Sequence, residues 1–362
     1  MRPLDTPGRG SVRTTDLVTE AWRNVRSGAS RVWVLVLLVA PAVLGLAWLE
    51  MSQVATVERD ALAYRASGAS TYVLTSSGRV DGAKCEALAR VASVRNSGAL
   101  RATPGSFVPR ATPRSPIPVF EVTPGLAEQL TPGYSTGTAL DSTTAQMLGT
   151  GPGHVLRGQG GDAAILSIYP YADDGRDQTL AYAMVRSAPA FGRYDQCWLS
   201  EWPPDQGRAS SLLQASLAPG ADLSEVRVGQ LNARLGSDFH GPEDFASRTS
   251  RFAGIAALVV GLVGTIGSAR LRRLELAFAK HLGLQRLEMV SLLVFETAIG
   301  VAPTLVATSV VIGVYGAAAP FGDVAPFGVR VLALSALGEL VGAVVAGSAV
   351  RDSRVYAYFK AR

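Results

Sequence analysis

The chain is 362 residues long, 48% hydrophobic and only 17% charged, with a formal net charge of +5. That length can hold two ordinary domains, and the composition is shifted toward the membrane class. The basic excess does not call for nucleic acid, because much of it flanks apolar runs and no base-reading motif accompanies it.

The first 30 residues are basic and carry a helix pattern: Leu17, Ala21 and Val25 fall on one face, with a cap expected near Thr15 or Asp16. Val32 to Leu49 follows without a charge and would rise about 27 Å as a helix, close to the bilayer core. Thirty residues make a long n-region for a cleaved signal, and Ser52-Gln53-Val54-Ala55 is a poor cleavage site, so residues 31–51 read as a retained transmembrane helix.

Residues 52–251 read as one extracytoplasmic domain of mixed α and β character with helical stalks at both ends. Ser52 to Arg65 continues the first span without a breaker, and Pro242 to Arg251 leads directly into the second. Between them, Ser70–Thr75, Ile117–Val122, Ala163–Tyr169 and Leu180–Arg186 are strand candidates, being short and rich in aromatic or β-branched residues. Asp81 opens an amphipathic helix, DGAKCEALARV, and Thr123 opens another, TPGLAEQL, with Pro in its first turn. The Gly- and Pro-rich stretches around Pro104–Pro118 and Gly149–Gly161 read as loops; GPGHVLRGQGG lacks the GK[ST] ending of a phosphate loop. Both cysteines, Cys85 and Cys197, lie here and most simply form one disulfide across more than a hundred residues, with free thiols as the alternative.

Phe252 to Ala269 is again uncharged, and the expected second span is 252–269. Residues 270–288 form a basic loop; 289–319 and 330–350 are the third and fourth spans, separated by a short outer loop at 320–329 and followed by a tail at 351–362. Each of the last two spans contains one glutamate, Glu296 or Glu339. A glutamate costs roughly 2–3 kcal/mol inside hydrocarbon unless it finds a partner, so structural polar packing is expected of both, with a mechanistic role as the alternative and, for Glu296 near the span's end, snorkelling to water. Gly338 and Gly342 flank Glu339 in a small-xxx-small pattern that suits close helix packing.

Lys and Arg set the orientation. Six precede the first span (Arg2, Arg9, Arg13, Arg23, Arg26, Arg31), five lie in the 270–288 loop and four in the tail (Arg351, Arg354, Lys360, Arg362), whereas Pro320 to Gly328 has none. Both termini and the basic loop are therefore expected in the cytoplasm of a multi-pass protein of the plasma (inner) membrane.

No enzymatic pattern is legible. His154, His240 and His281 are scattered, Glu58, Asp60, Glu121 and Asp195 have no acid/base spacing, and GxSxG, SxxK and Walker A motifs are missing. The chain is expected to be no enzyme and to hold no cofactor or metal of its own.

In the basic loop, Leu271, Leu274, Phe278 and Leu282 recur at helical spacing, Arg272, Arg273, Glu275 and Lys280 take other faces, and Gly283 supplies a stop. An amphipathic helix lying on the inner leaflet would satisfy that pattern. RRLELAFAKHLGLQRLEM, however, resembles the loop after the second span of MacB/FtsX-type (type VII) ABC transporter permeases: a basic run, a Glu, a further basic residue and then Leu-Gly. Arg272, Arg273, Glu275, Lys280, Leu282, Gly283 and Arg286 fall on those places, with Lys280 where Arg is commoner and His281 where Ala is usual. EAWRNVR, Glu20 to Arg26, resembles the opening segment of the same permeases, and one span, a large outer domain and three spans is their layout.

The resemblance implies a fold of four transmembrane helices with an extracytoplasmic α/β domain inserted between the first two. It implies a subunit that dimerises, with itself or a related chain, on a cytoplasmic ABC ATPase dimer that holds the ATP and Mg. ATP binding would then move the outer domain through the stalks, as mechanotransmission, toward an extracytoplasmic adaptor or substrate. Arg272, Arg273, Glu275, Lys280, Gly283 and Arg286 would form the ATPase-docking coupling helix, flanked by Glu20, Arg23 and Arg26. Two other readings remain: an FtsX-like regulator of cell-wall hydrolases, and a four-span sensor or scaffold without an ATPase.

Overall fold

A computed structural model of the chain describes residues 13–133, 136–318 and 323–350. Arg2, Arg9, residues 319–322 of the third span and short outer loop, and the tail with its four basic residues lie outside the described residues. Two compact units are present, Met1–Arg59 with Gly241–Arg362, and Asp60–His240.

The chain enters through α1 (Thr14–Arg26), which buries Leu17, Ala21 and Val25 along one face. The helix starts earlier than expected. Its N-cap is Arg13, without a side-chain cap bond, so Asp16 lies in the first turn, where its charge suits the helix dipole, and the Thr15 carbonyl accepts from the Thr19 hydroxyl (2.9 Å). α2 (Val32–Ala66) is one helix of 35 residues, because nothing between the apolar run and SQVATVERDALAYR breaks it.

The α/β unit is built in the order β1 (Thr71–Asp81), α3 (Gly82–Ala87), β2 (Val94–Phe107), β3 (Ile117–Val122), α4 (Pro124–Leu130), β4 (Thr138–Asp141), α5 (Ser142–Leu148), β5 (Val155–Leu156), β6 (Ala163–Ala164), β7 (Ser167–Tyr169), β8 (Met184–Ser187), β9 (Arg193–Glu201), α6 (Gln206–Ala215) and β10 (Arg227–Gln230). Eight strands make one mixed sheet in the order β10-β1-β9-β2-β3-β8-β4-β7, while β5 and β6 pair separately. The β3/β8 and β4/β7 pairs are parallel and the other pairs of the large sheet antiparallel.

Period-two alternation divides the core between the sheet faces. Cys197 and Leu199 of β9 join Tyr72, Leu74, Leu88 and Leu213 in one cluster, and Trp198 between them joins Leu100, Val122, Leu126 and Leu231 in another. A disulfide links Cys85 of α3 to Cys197, whose strand neighbours are Leu74 and Ala99.

Several local expectations need correction. The stretch 163–169 is two short strands, β6 and β7, rather than one. The strand expected from Leu180 starts only at Met184, with Leu180 buried in the preceding turn. The piece 104–107 is strand, because the register shift between Ala102 and Ser106 absorbs Pro104 and Gly105 within β2. Asp81 caps α3 by accepting from Ala83 and Lys84, but Thr123 does not cap α4: its hydroxyl accepts from the Ala99 amide (2.8 Å) and ties α4 to β2.

The chain completes the helical unit with α7 (Gly241–Ser247), a short 3₁₀ turn at Thr249–Phe252, α8 (Ala253–Leu271), α9 (Arg273–His281), α10 (Arg286–Ala318) and α11 (Ala325–Ala349). The stretch expected as a second continuous stalk is broken at Arg248, which is extended (φ −55°, ψ 136°) and leaves α7 only seven residues long. Among the described residues, four helices are long and apolar enough to cross a membrane: Val32–Ala66, Thr249–Leu271, Arg286–Ala317 and Ala325–Ala349.

Candidate functional site

Several polar residues of the helical unit meet at one place. Arg272 is the only residue between α8 and α9, and its non-helical backbone (φ −104°, ψ 11°) ends one helix and begins the next. That turn sends the guanidinium inward: Arg272 is only 6% exposed and Glu296 of α10 only 2%. Nη1 donates to Glu296 Oε2 at 2.6 Å and Nη2 to Oε1 at 3.4 Å, an arrangement suited to the planar fork of arginine. Arg272 Nη1 also donates to the Ser30 carbonyl (3.2 Å), and Nε reaches Glu275 at 3.4 Å. Asn24 of α1 donates to Glu296 Oε1 (2.9 Å). Three helices and the turn between α1 and α2 are thus held by one buried carboxylate and one buried guanidinium.

Arg272 was expected to face a partner, and this geometry corrects that, because its hydrogen-bonding capacity is spent inside the unit. Glu296 is likewise paired rather than reaching out to water. The apolar stripe of the basic loop is largely exposed. Leu271, Phe278 and Leu282 are exposed and Leu274 is half-buried, whereas Leu276 and Ala277 are the buried face of α9. Leu276 packs with α10 and α11, in a cluster with Met289, Leu293, Ala343 and Ala346.

Two of the expected docking cations have structural partners. Lys280 donates to the Val350 carbonyl (2.8 Å) and Arg286 to that of Ser348 (2.9 Å), placing positive charge on the C-terminal end of α11. Gly283 closes α9 in the left-handed region (φ 110°). Its amide donates to Lys280 and that of Leu284 to Ala279, the two bonds of a Schellman turn. Arg273 and Glu275 remain on the exposed side of α9, while Glu20 and Arg23 pair with each other on α1 (2.6 Å) and Arg26 is exposed beside them.

Glu339 stands apart from this network. It is buried in α11, with the Ser335 hydroxyl at 3.4 Å. Small residues bring α8 against α11 there: a Cβ on Gly338 would lie 2.1 Å from the Leu258 carbonyl oxygen and one on Gly261 2.5 Å from that of Ser335. Sequence reading missed a second buried pair, Glu50 with Arg248 (3.1 Å), with Arg248 also lying over Phe245 and Phe327. It missed Asn24 and Ser30 as well. The only available signal was an uncompensated Glu50 at the end of an apolar run.

No family model and no curated protein matches the chain. Solved structures similar to part of it include the periplasmic region of MacB from Actinobacillus actinomycetemcomitans, at 9% identity and a TM-score of 0.31 over 46% of this chain and 91% of that one. Another is the extracellular domain of the noncanonic ABC-type transporter YknZ from Gram-positive bacteria, at 13% identity and a TM-score of 0.31 over 44% of this chain and 100% of that one. At that score the likeness has no weight for function.

Proposed function

We propose that the chain is the transmembrane subunit of an ABC transporter of the MacB/FtsX kind. In this reading it converts ATP hydrolysis by a separate cytoplasmic ATPase dimer into movement of its α/β domain, for export or extraction of a substrate at the outer membrane face. One observation carries it: the two segments that resemble these permeases, Glu20–Arg26 and Arg272–Met289, meet in the single buried network of Asn24, Arg272 and Glu296. A force applied to α9 would be passed by that network to α1 and α10 together, as a coupling element requires. The chain supplies no nucleotide chemistry in this scheme, and ATP and Mg belong to the partner.

We place the centre of the ATPase contact on an apolar patch, with charged residues at its rim. Phe278, Leu282 and Leu287 are exposed around the α9–α10 turn, with Arg273 and Glu275 beside them, giving an apolar anchor with a charged rim, the usual anatomy of a docking patch. The test is co-expression of the full chain with the ABC ATPases of its own genome, followed by co-purification and ATP turnover. Phe278→Asp with Leu282→Asp should weaken association by tenfold or more, whereas Phe191→Asp, exposed in the α/β unit, should not. Failure of any such ATPase to bind, or equal binding by the double variant, would overturn the reading.

A further inference from the structure

The α/β unit contains a second polar feature unrelated to the helical network. A cleft of about 440 Å³ is lined by Arg65, Arg95 and Arg176, by the polar side chains of Asn96 and Ser200, and by Leu130 among its apolar residues; no carboxylate lines it. That volume lies within the range of small-molecule sites.

Three arginines of the unit are held in ion pairs. Arg101 pairs with Glu121, Arg208 with Glu201, and Arg176 itself with Asp174 at 2.7 Å. Among the described residues, Arg65 and Arg95 have no carboxylate partner. Arg65 lies over the Trp202 ring at 5.5 Å, and it and Arg95 line the same cleft. Like charges lining one cleft are offset when an oxyanion binds between them, and the guanidinium fork matches phosphate geometry. The Asn96 side chain has no hydrogen-bond partner among the described residues and borders the same cleft, so a neutral donor accompanies the two cations.

We propose that this cleft binds a phosphate-class anion, held by Arg65 and Arg95 with Asn96 as a further donor. Two uncompensated positive charges match a phosphate monoester dianion. The apolar side of the cleft, with Leu130, leaves room for an attached hydrocarbon portion. The same chemistry is offered by a lipid-like headgroup and by free phosphate, and the two differ in whether that apolar side is used. The site is independent of the ATPase reading, since it lies wholly within residues 60–240.

The experiment is isothermal titration calorimetry of the full chain in nanodiscs of zwitterionic lipid, with hexyl phosphate, inorganic phosphate and hexanol as probes. Saturable binding of hexyl phosphate is expected, weakened at least tenfold by Arg95→Ala or Arg65→Ala and by raised salt, partly retained by Arg95→Lys and unchanged by Arg79→Ala. Arg95 is exposed, so its replacement should leave folding intact. Much tighter binding of hexyl phosphate than of inorganic phosphate would assign the site to an amphiphile. Equal binding would assign it to free phosphate. Absence of saturable binding by either anion, hexanol binding as tightly as hexyl phosphate, or an Arg95→Ala variant that binds like the parent would overturn the proposal.

Discussion

Arg272 and Glu296 show how two ionic side chains are accommodated in an apolar helical unit. Removing either charge from water costs several kcal/mol, and only a well-matched partner with further hydrogen bonds offsets it. Here Ser30 and Asn24 supply those bonds. Truncating one member strands the other, so Arg272→Met should destabilise the chain by about 3–5 kcal/mol. The double variant Arg272→Met/Glu296→Leu should cost clearly less than Arg272→Met alone, which equilibrium denaturation in mixed micelles would read; additive losses would mean that the pair is not coupled. In the α/β unit the Asp174 carboxyl is held below its ordinary value of 3.8 chiefly by the Arg176 side-chain hydrogen bond. A carboxylate that is more acidic when folded adds stability above its unfolded value and loses it as pH falls through the folded one. The stability gap between the parent and Asp174→Asn should therefore be full near neutral pH and close progressively below 3.8; a gap that persists in acid would refute the linkage.

The packing of α8 against α11 depends on missing side chains. A Cβ on Gly338 would lie 2.1 Å from a backbone oxygen of α8, which cannot rotate away, whereas one on Gly267 meets nothing within 4 Å. Gly338→Ala should then cost about 1–3 kcal/mol by forcing the helices apart, and Gly267→Ala should be neutral or stabilising by up to about 1 kcal/mol through helix propensity. Equal effects from the two in the same denaturation assay would show that α8 and α11 do not need this contact. What the sequence disclosed at this scale was local. The apolar runs, the buried face of α1, the ends of β3, the Asp81 cap and the Gly283 stop each depend on neighbours a few residues away. β2 and β9 were not legible, because their residues VRNSGALRATPGSF and RYDQCWLSE mix polar and apolar positions whose burial is decided by distant strands. Gly98, for instance, is required by α4, since a Cβ there would lie 2.3 Å from the Leu126 nitrogen. Which face of α9 is covered by the unit was not legible for the same reason. Its helix carries apolar residues on two sides, and only the position of α10 and α11 decides that Leu276 and Ala277 are covered while Phe278 and Leu282 are not. Likewise Glu50 and Arg248 are 198 residues apart, beyond the reach of any periodicity.

The whole molecule is two cores on one chain, and covalent closure belongs to only one of them. The disulfide joins α3 to β9 across a separation of 112 residues, inside the cluster that contains Tyr72, Leu74 and Leu213. Closing so long a loop restricts the unfolded α/β unit strongly, and loss of such a bond typically costs about 2–5 kcal/mol. Both cysteines are fully buried, so the replacement must also be small and apolar to avoid leaving an unpaired polar group. In Cys85→Ala/Cys197→Ala, amide exchange through global opening of the α/β unit should quicken by roughly 30-fold to 1,000-fold or more in β1, β2 and β9, as that loss of stability implies. The amides of α10 and α11 should exchange as before, because their burial comes from helix contacts and the Arg272–Glu296 pair rather than from the sheet. Hydrogen exchange read peptide by peptide distinguishes the outcomes. Equal acceleration in α10 and α11 would mean that the chain unfolds as a single cooperative block, in which case the α/β domain could not be moved by the helices as a body with its own stability.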